Sequence, residues 1–136
     1  MWLPDVEGVL SAPEAARTLA EAADPRRASR PFDLGRNGIV ISEGGCIYVV
    51  EALDRALARN ARILGEIVGY AMNSDARDFV LPYGPRQAEC MRLALGRAGM
   101  RPEDVDLINT HATGTRQGDI EECKAIREVF GDSPST

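Results

Sequence analysis

The sequence predicts an α/β fold, and three observations carry that prediction. From Ile39 onward, apolar β-branched runs alternate with segments of helical spacing, in the order strand, helix, strand, helix, strand, helix. Such alternation implies parallel strands with covering helices. The runs Ile39–Ile41 and Cys46–Val50 are apolar on both faces, as in strands buried on both sides. The chain has 136 residues, 44% of them hydrophobic, which suits one domain with its own core and is too rich for disorder.

The elements follow in order. Residues 1–11 have no clear period. A helix is expected over 12–23, with Ser11 as cap, Pro13 in the first turn and Pro25 beyond its end. "RPFDLGRNG" (30–38) is a loop of turn residues. Gly44 and Gly45 interrupt the first strand pair, as at a bulge or tight bend. "EALDRALARN" (51–60) is a short helix with Leu53, Ala56 and Leu57 on one face and Asn60 as its stop. "ARILGEIVGYAM" (61–72) is a long strand, and "NSDARDFVLPYG" (73–84) is a polar loop. The next helix spans 85–99, with Met91, Leu95 and Ala98 on a shared face, Gly99 at its end and Pro102 beyond. "VDLINTH" (105–111) is a strand. A last helix over 118–131 turns Cys123, Ile126, Val129 and Phe130 inward and ends at Gly131.

Composition excludes several functions. A net charge of −5 with scattered arginines argues against a nucleic-acid binder. Cys46, Cys90 and Cys123 form no CxxC pair, and one histidine leaves no ordinary zinc pattern, so no metal is expected. The odd cysteine count, with no basic n-region at the start, points to reduced thiols in a cytoplasmic protein. The longest apolar stretch, around "CIYVV", is too short to span a bilayer.

The single histidine lies in "INTHATGTRQGD", Ile108 to Asp119. His111 ends a strand, where parallel sheets bind their ligands. The residues allow two readings. In one, His111 only bonds its neighbours, and Asp119 with Glu122 forms the D-x-x-E capping box of the helix that follows. In the other, the imidazole N–H stabilises an oxyanion, and Thr113 and Thr115 hold an amide-bearing arm. The helix N-terminus behind adds positive potential, and Gly118 lets the chain turn tightly into it.

"THATGTRQGDIEE" resembles the HGTxTxxGDxxE motif of β-ketoacyl-acyl-carrier-protein synthases, members of the thiolase-like superfamily. "ASRPFDLGRNGIVISEGG" is similar to their SRPFDxxRDGFVxGEGAG stretch. "ILGEIVGYAMNSDA" and "GRAGMRPEDVDLIN" follow the same family, so the resemblance runs from about residue 28 to 131. It implies a thiolase-like layered fold, present in part, as a mixed sheet with covering helices. Residues 1–27 would end the N-terminal ketosynthase half. Residues 28–136 would span the join and begin the C-terminal half, stopping before its second histidine. The implied activity is decarboxylative condensation of malonyl-carrier protein with an acyl thioester, in fatty acid or polyketide synthesis. The resemblance makes His111 catalytic, Thr113 and Thr115 contacts of the phosphopantetheine arm, and Asp119 and Glu122 supports of the site. It implies acyl carrier protein as partner, further ketosynthase segments or a homodimer partner, and no cofactor beyond the substrate's own arm.

The chain also departs from the pattern. Ala112 replaces a glycine, and would be costly if that position needs a positive φ. Gly114 replaces a common serine, Ser42 a glycine, and Asp78 to Val80 an HMT-like segment, with loss of a hydroxyl at Val80. Neither the acyl-holding cysteine nor the second histidine is matched, so the 136 residues alone are expected to be inactive. Cys46 is expected to be buried and inert, and Cys90 and Cys123 to be core. The alternative is a non-catalytic partner subunit on the same fold that binds acyl carrier protein.

Overall fold

The structure is a computed structural model and describes residues 19–78 and 80–132. Among these residues the helices are α1 (Leu53–Ala58), α2 (Gly84–Ala98) and α3 (Arg116–Phe130), with 3-10 turns at Pro25–Arg27 and Pro102–Asp104.

The helix ends obey local chemistry. α1 stops where Asn60 takes φ +53, and the Ala61 N–H bonds back to Ala56 O at 2.9 Å. Pro85 lies in the first turn of α2, and Gly99 closes it at φ +66. α3 starts two residues earlier than the spacing predicts. Its cap is Thr115, whose Oγ1 accepts the Gly118 N–H at 3.1 Å.

α2 and α3 pack together through small residues. Ala88 and Ala125 are fully buried. Gly84 opens α2 against α3, and a Cβ there would lie 2.9 Å from Oε2 of Glu121. The Gly84 N–H donates to that same oxygen at 3.0 Å. On its other side α2 covers Gly69, where a Cβ would lie 2.6 Å from the Ala94 carbonyl oxygen. The expected inward face of α2 holds, since Met91, Leu95 and Ala98 are all half-buried.

Three expectations are corrected. The part of the 12–23 helix at 12–18 lies outside the described residues. Residues 19–22 are not helical. Leu19 makes a parallel bridge with Ile39, and the Ala20 N–H donates to Ile39 O at 2.8 Å. Pairing along Ile39 supplies the backbone partner that helix propensity had assigned locally.

The second correction concerns the strands. Among the described residues, Leu19–Ile39 is the only bridge, and the runs at 46–50, 61–72 and 105–111 carry no ladder. They were expected to be buried, yet Ile47 is 93% and Val49 91% exposed. Along 61–72, Ala61, Gly69 and Ala71 are half-buried, while Leu64 and Met72 are 87% and 88% exposed. Helix α2 thus covers one face of that run and leaves the other bare. Apolarity on both faces states what a strand needs, and the covering neighbours must come from elsewhere.

The third correction concerns the thiols. Cys46 and Cys123 are exposed, and Cys90 is half-buried. Cys46 sits on the bare apolar run. α3 turns Asp119, Glu121, Glu122 and Ala125 inward, which rotates Cys123 to water. No helix among the described residues is long and apolar enough to cross a membrane.

Exposed aliphatic runs of this extent are adhesive. The 136-residue chain is therefore expected to bind a hydrophobic dye and to self-associate. Dye titration and sedimentation check this, and a dye-silent monomer would contradict it. A second expectation concerns Glu121. Its hydrogen bonds to Lys124 and to the Gly84 N–H hold its carboxyl below the ordinary glutamate value. A carboxylate lowered in the folded state stabilises above its unfolded pKa and loses that contribution as pH falls through the folded one. Amide-exchange protection at Gly84 is thus expected to fade below about pH 4.3. In Glu121→Gln, which gives up the charged acceptor, that pH dependence disappears.

Candidate active site

The loop from Thr110 to Thr115 leads into α3, and the carboxylates of α3 reach back to hold it. Glu122 accepts two adjacent N–H groups, His111 at 2.6 Å on Oε1 and Ala112 at 2.9 Å on Oε2. Asp119 accepts the Gly114 N–H at 3.0 Å on Oδ1 and the Phe32 N–H at 2.7 Å on Oδ2. Asp119 is 1% exposed, and its charge is met by Arg36 Nε at 3.1 Å. A buried carboxylate needs such partners, because an unpaired one costs several kcal/mol, on the order of 3–5 kcal/mol.

Arg36 does more than neutralise. Its Nε also donates to Thr115 O at 3.2 Å and its Nη2 to Arg116 O at 2.8 Å. The Gly38 N–H donates to Gly114 O at 3.0 Å. The "RPFDLGRNG" loop is therefore the floor on which the histidine loop rests.

The capping-box reading of Asp119 and Glu122 is corrected here. Thr115 does the capping, which frees both acids for the loop. Gly118 is not a turn residue either. It lies inside α3, where a Cβ would overlap Thr115 Oγ1 and lie 3.0 Å from Thr113 Oγ1. Its absent side chain lets the two hydroxyls sit 3.0 Å apart, one donating to the other. The concern over Ala112 is realised, because its φ is +46, in the left-handed region. Gly114, at φ +73, faces Gly38 O so closely that a Cβ would lie 2.8 Å from it.

His111 is exposed and opens on a cleft of about 250 Å³. Thr113, Thr115, Gln117, Gly118 and Glu122 line one side, and Val80, Leu81 and Pro82 form the apolar lip. The lip is fixed by Asp78, whose Oδ1 accepts the Val80 and Leu81 N–H groups, each at 2.8 Å. Those bonds, Leu81 first, hold the Asp78 carboxyl below its usual value. The structure thus brings His111, Thr113, Thr115 and Glu122 to one cleft and sets Asp119 behind it. Sequence reasoning missed Phe32, Arg36 and Gln87. The turn-rich loop was visible, but its partner 87 residues away was not. No group of three or more metal-ligating side chains occurs among the described residues.

Residues 64–136 match the β-ketoacyl synthase C-terminal domain. The chain belongs to the β-ketoacyl synthase family. It is similar to 3-oxoacyl-[acyl-carrier-protein] synthase 1 of Escherichia coli strain K12, at 47% identity over 108 residues, 79% of this chain and 26% of that protein. The chain thus spans about a quarter of that relative's length. Among solved structures it resembles a β-ketoacyl synthase from Burkholderia phymatum, at 31% identity and TM-score 0.83, over 96% of this chain and 31% of that one. It also resembles a complex of a type II polyketide synthase acyl-carrier protein with its hexaketide-bound ketosynthase, at 38% identity and TM-score 0.82, over 88% and 30%. The fold is accordingly the thiolase-like ketosynthase fold, in part.

The left-handed Ala112 yields a direct expectation. Alanine there costs about 1–2 kcal/mol, offset by the smaller freedom it has when unfolded. Ala112→Gly is expected to gain about 0.5–1 kcal/mol, read as a higher urea midpoint of the helical signal. A lower midpoint would show that the loop does not need the left-handed turn.

Proposed function

We propose that this chain is the histidine-bearing segment of a β-ketoacyl-acyl-carrier-protein synthase, an acyltransferase. The observation that carries this reading is the clamp on His111. Both oxygens of Glu122 hold the His111 and Ala112 backbone, and the imidazole opens on the threonine-lined cleft.

In this reading the cleft receives the phosphopantetheine arm of acyl carrier protein, as substrate rather than cofactor. Thr113 and Thr115 contact the arm. Asp119 and Glu122 hold the loop and leave the reaction to His111. Decarboxylation breaks a C–C bond of the malonyl group, and carbon dioxide leaves. The electron pair passes into a thioester enolate, whose oxygen accepts a hydrogen bond from the imidazole N–H. The enolate carbon then attacks the acyl thioester carbonyl, and the thiolate departs. Preorganised donors of this kind speed reactions because they need not reorient as charge develops. The acyl-holding cysteine and a second histidine come from other segments of the synthase, and the 136 residues by themselves are inactive. A cytoplasmic location accords with three free cysteines. The reading as a non-catalytic partner subunit is less favoured, because the imidazole of His111 opens on the threonine-lined cleft from a backbone that Glu122 holds in place.

His111→Ala in the full-length synthase is expected to lower condensation by about 10²–10³-fold, the usual effect of removing one oxyanion donor. Turnover of malonyl- and acyl-carrier protein checks this. A near-normal rate with intact fold would overturn the assignment.

A further inference from the structure

The Arg36 side chain is sunk between the 30–38 loop and α3, 12% exposed beside an Asp119 that is 1% exposed. Neutralising that carboxylate asks only for a nearby positive charge. Arg36 makes three further bonds. Its Nη1 donates to Asp33 O at 2.9 Å, its Nε to Thr115 O at 3.2 Å and its Nη2 to Arg116 O at 2.8 Å. The guanidinium is planar, so the bond to Asp33 in its own loop fixes the plane from which the other donors point.

The two helix carbonyls do not depend on Arg36 for a partner. Thr115 O also accepts the Asp119 N–H at 3.2 Å, and carbonyls at the start of a helix serve its own ladder. Taking Arg36 away from them strands no buried acceptor. The link between the two loops does not rest on Arg36 either, because the Gly38–Gly114 and Phe32–Asp119 bonds also join them. What the guanidinium adds is place. It ties the cap and the first residue of α3 to the loop beneath.

The histidine loop runs between two anchors. Glu122 holds its start at His111 and Ala112, and its end is Thr115, the cap of α3. Both anchors set where the imidazole stands. We infer that Arg36 is a positioning residue of the synthase, which fixes the Thr115 end of the loop and through it the reach of His111 to the reacting thioester. This rests on the synthase reading above and adds a residue that touches no reacting atom.

The test uses the full-length synthase with malonyl- and acyl-carrier protein. Arg36→Lys keeps a cation for Asp119 and gives up the planar fork. Misplacing a catalytic group by an ångström costs up to about 10²-fold. Arg36→Lys is therefore expected to lower kcat by about tenfold or more, with kcat/KM falling alike, since what is lost is transition-state placement rather than substrate binding. Arg36→Ala opens room for a free guanidinium ion. Millimolar guanidinium is expected to restore much of its turnover and to leave His111→Ala unchanged. A wild-type kcat in Arg36→Lys, an effect on KM alone, or an Arg36→Ala that guanidinium does not raise would each overturn the inference. Where Arg36→Ala does not fold, Arg36→Lys decides. If neither variant keeps the circular dichroism of wild type, Arg36 is a fold residue and the inference falls. Where wild type itself turns nothing over, the synthase reading fails, and amide exchange over 110–116 decides the rest. Faster exchange in Arg36→Lys keeps the hold on the loop, and unchanged exchange removes it.

Discussion

The site depends on one helix placing three carboxylates against backbone N–H groups from three separate stretches of chain. Asp119 holds Phe32 and Gly114, Glu121 holds Gly84, and Glu122 holds His111 and Ala112. These are charge-assisted bonds, each on the order of 1.5–3 kcal/mol, and their loss would strand buried donors. They also explain why α3 can be so acidic on its inner face. Near the N-terminal end of a helix, negative charge meets the favourable end of the macrodipole. Asp119 in the first turn gains from that end, while Glu121 and Glu122, further along the helix, reach the loops beside it.

This arrangement holds strained backbone. Phe32 and Ala112 both have positive φ without being glycine, at +61 and +46. The N–H of each is bound by a carboxylate of α3. Strain persists where surroundings over-determine a conformation. The left-handed turn at Ala112 follows directly on His111, so the clamp that secures the turn also sets where the imidazole leaves the backbone. A looser loop would let the imidazole wander, and orientation is much of what such a group contributes.

Some of this was legible in the residues and some was not. α2 was readable because Pro85 and Gly99 bracket a periodic run, and both signals are local. The cleft-facing role of His111, Thr113 and Thr115 was readable because the three lie within five positions. For Asp119 and Glu122 the residues left two readings open, a capping box and support of the site. The D-x-x-E spacing fits a capping box equally well, and only the hydroxyl of Thr115 at the cap shows that the acids are free. Arg36 and Phe32 could not be found, because their partners lie about eighty residues on. Burial of the apolar runs failed for a related reason. Ile47 and Val49 have the composition of a core strand, but burial belongs to the neighbours, and the described residues supply only one covering layer.

The polar scaffold and the apolar faces thus differ in what they need. Among the described residues, the partners of Asp119, Glu121 and Glu122 lie between Phe32 and Lys124, so the hydrogen bonds that hold the His111 loop are local. The bare runs at 46–50 and 61–72 need surfaces that lie outside the described residues. A short segment can therefore hold a well-defined histidine loop on a scaffold whose apolar faces are left bare among the described residues. The hydrogen bonds that orient the histidine are local to α3 and its two loops. The hydrophobic burial that makes a stable body is not.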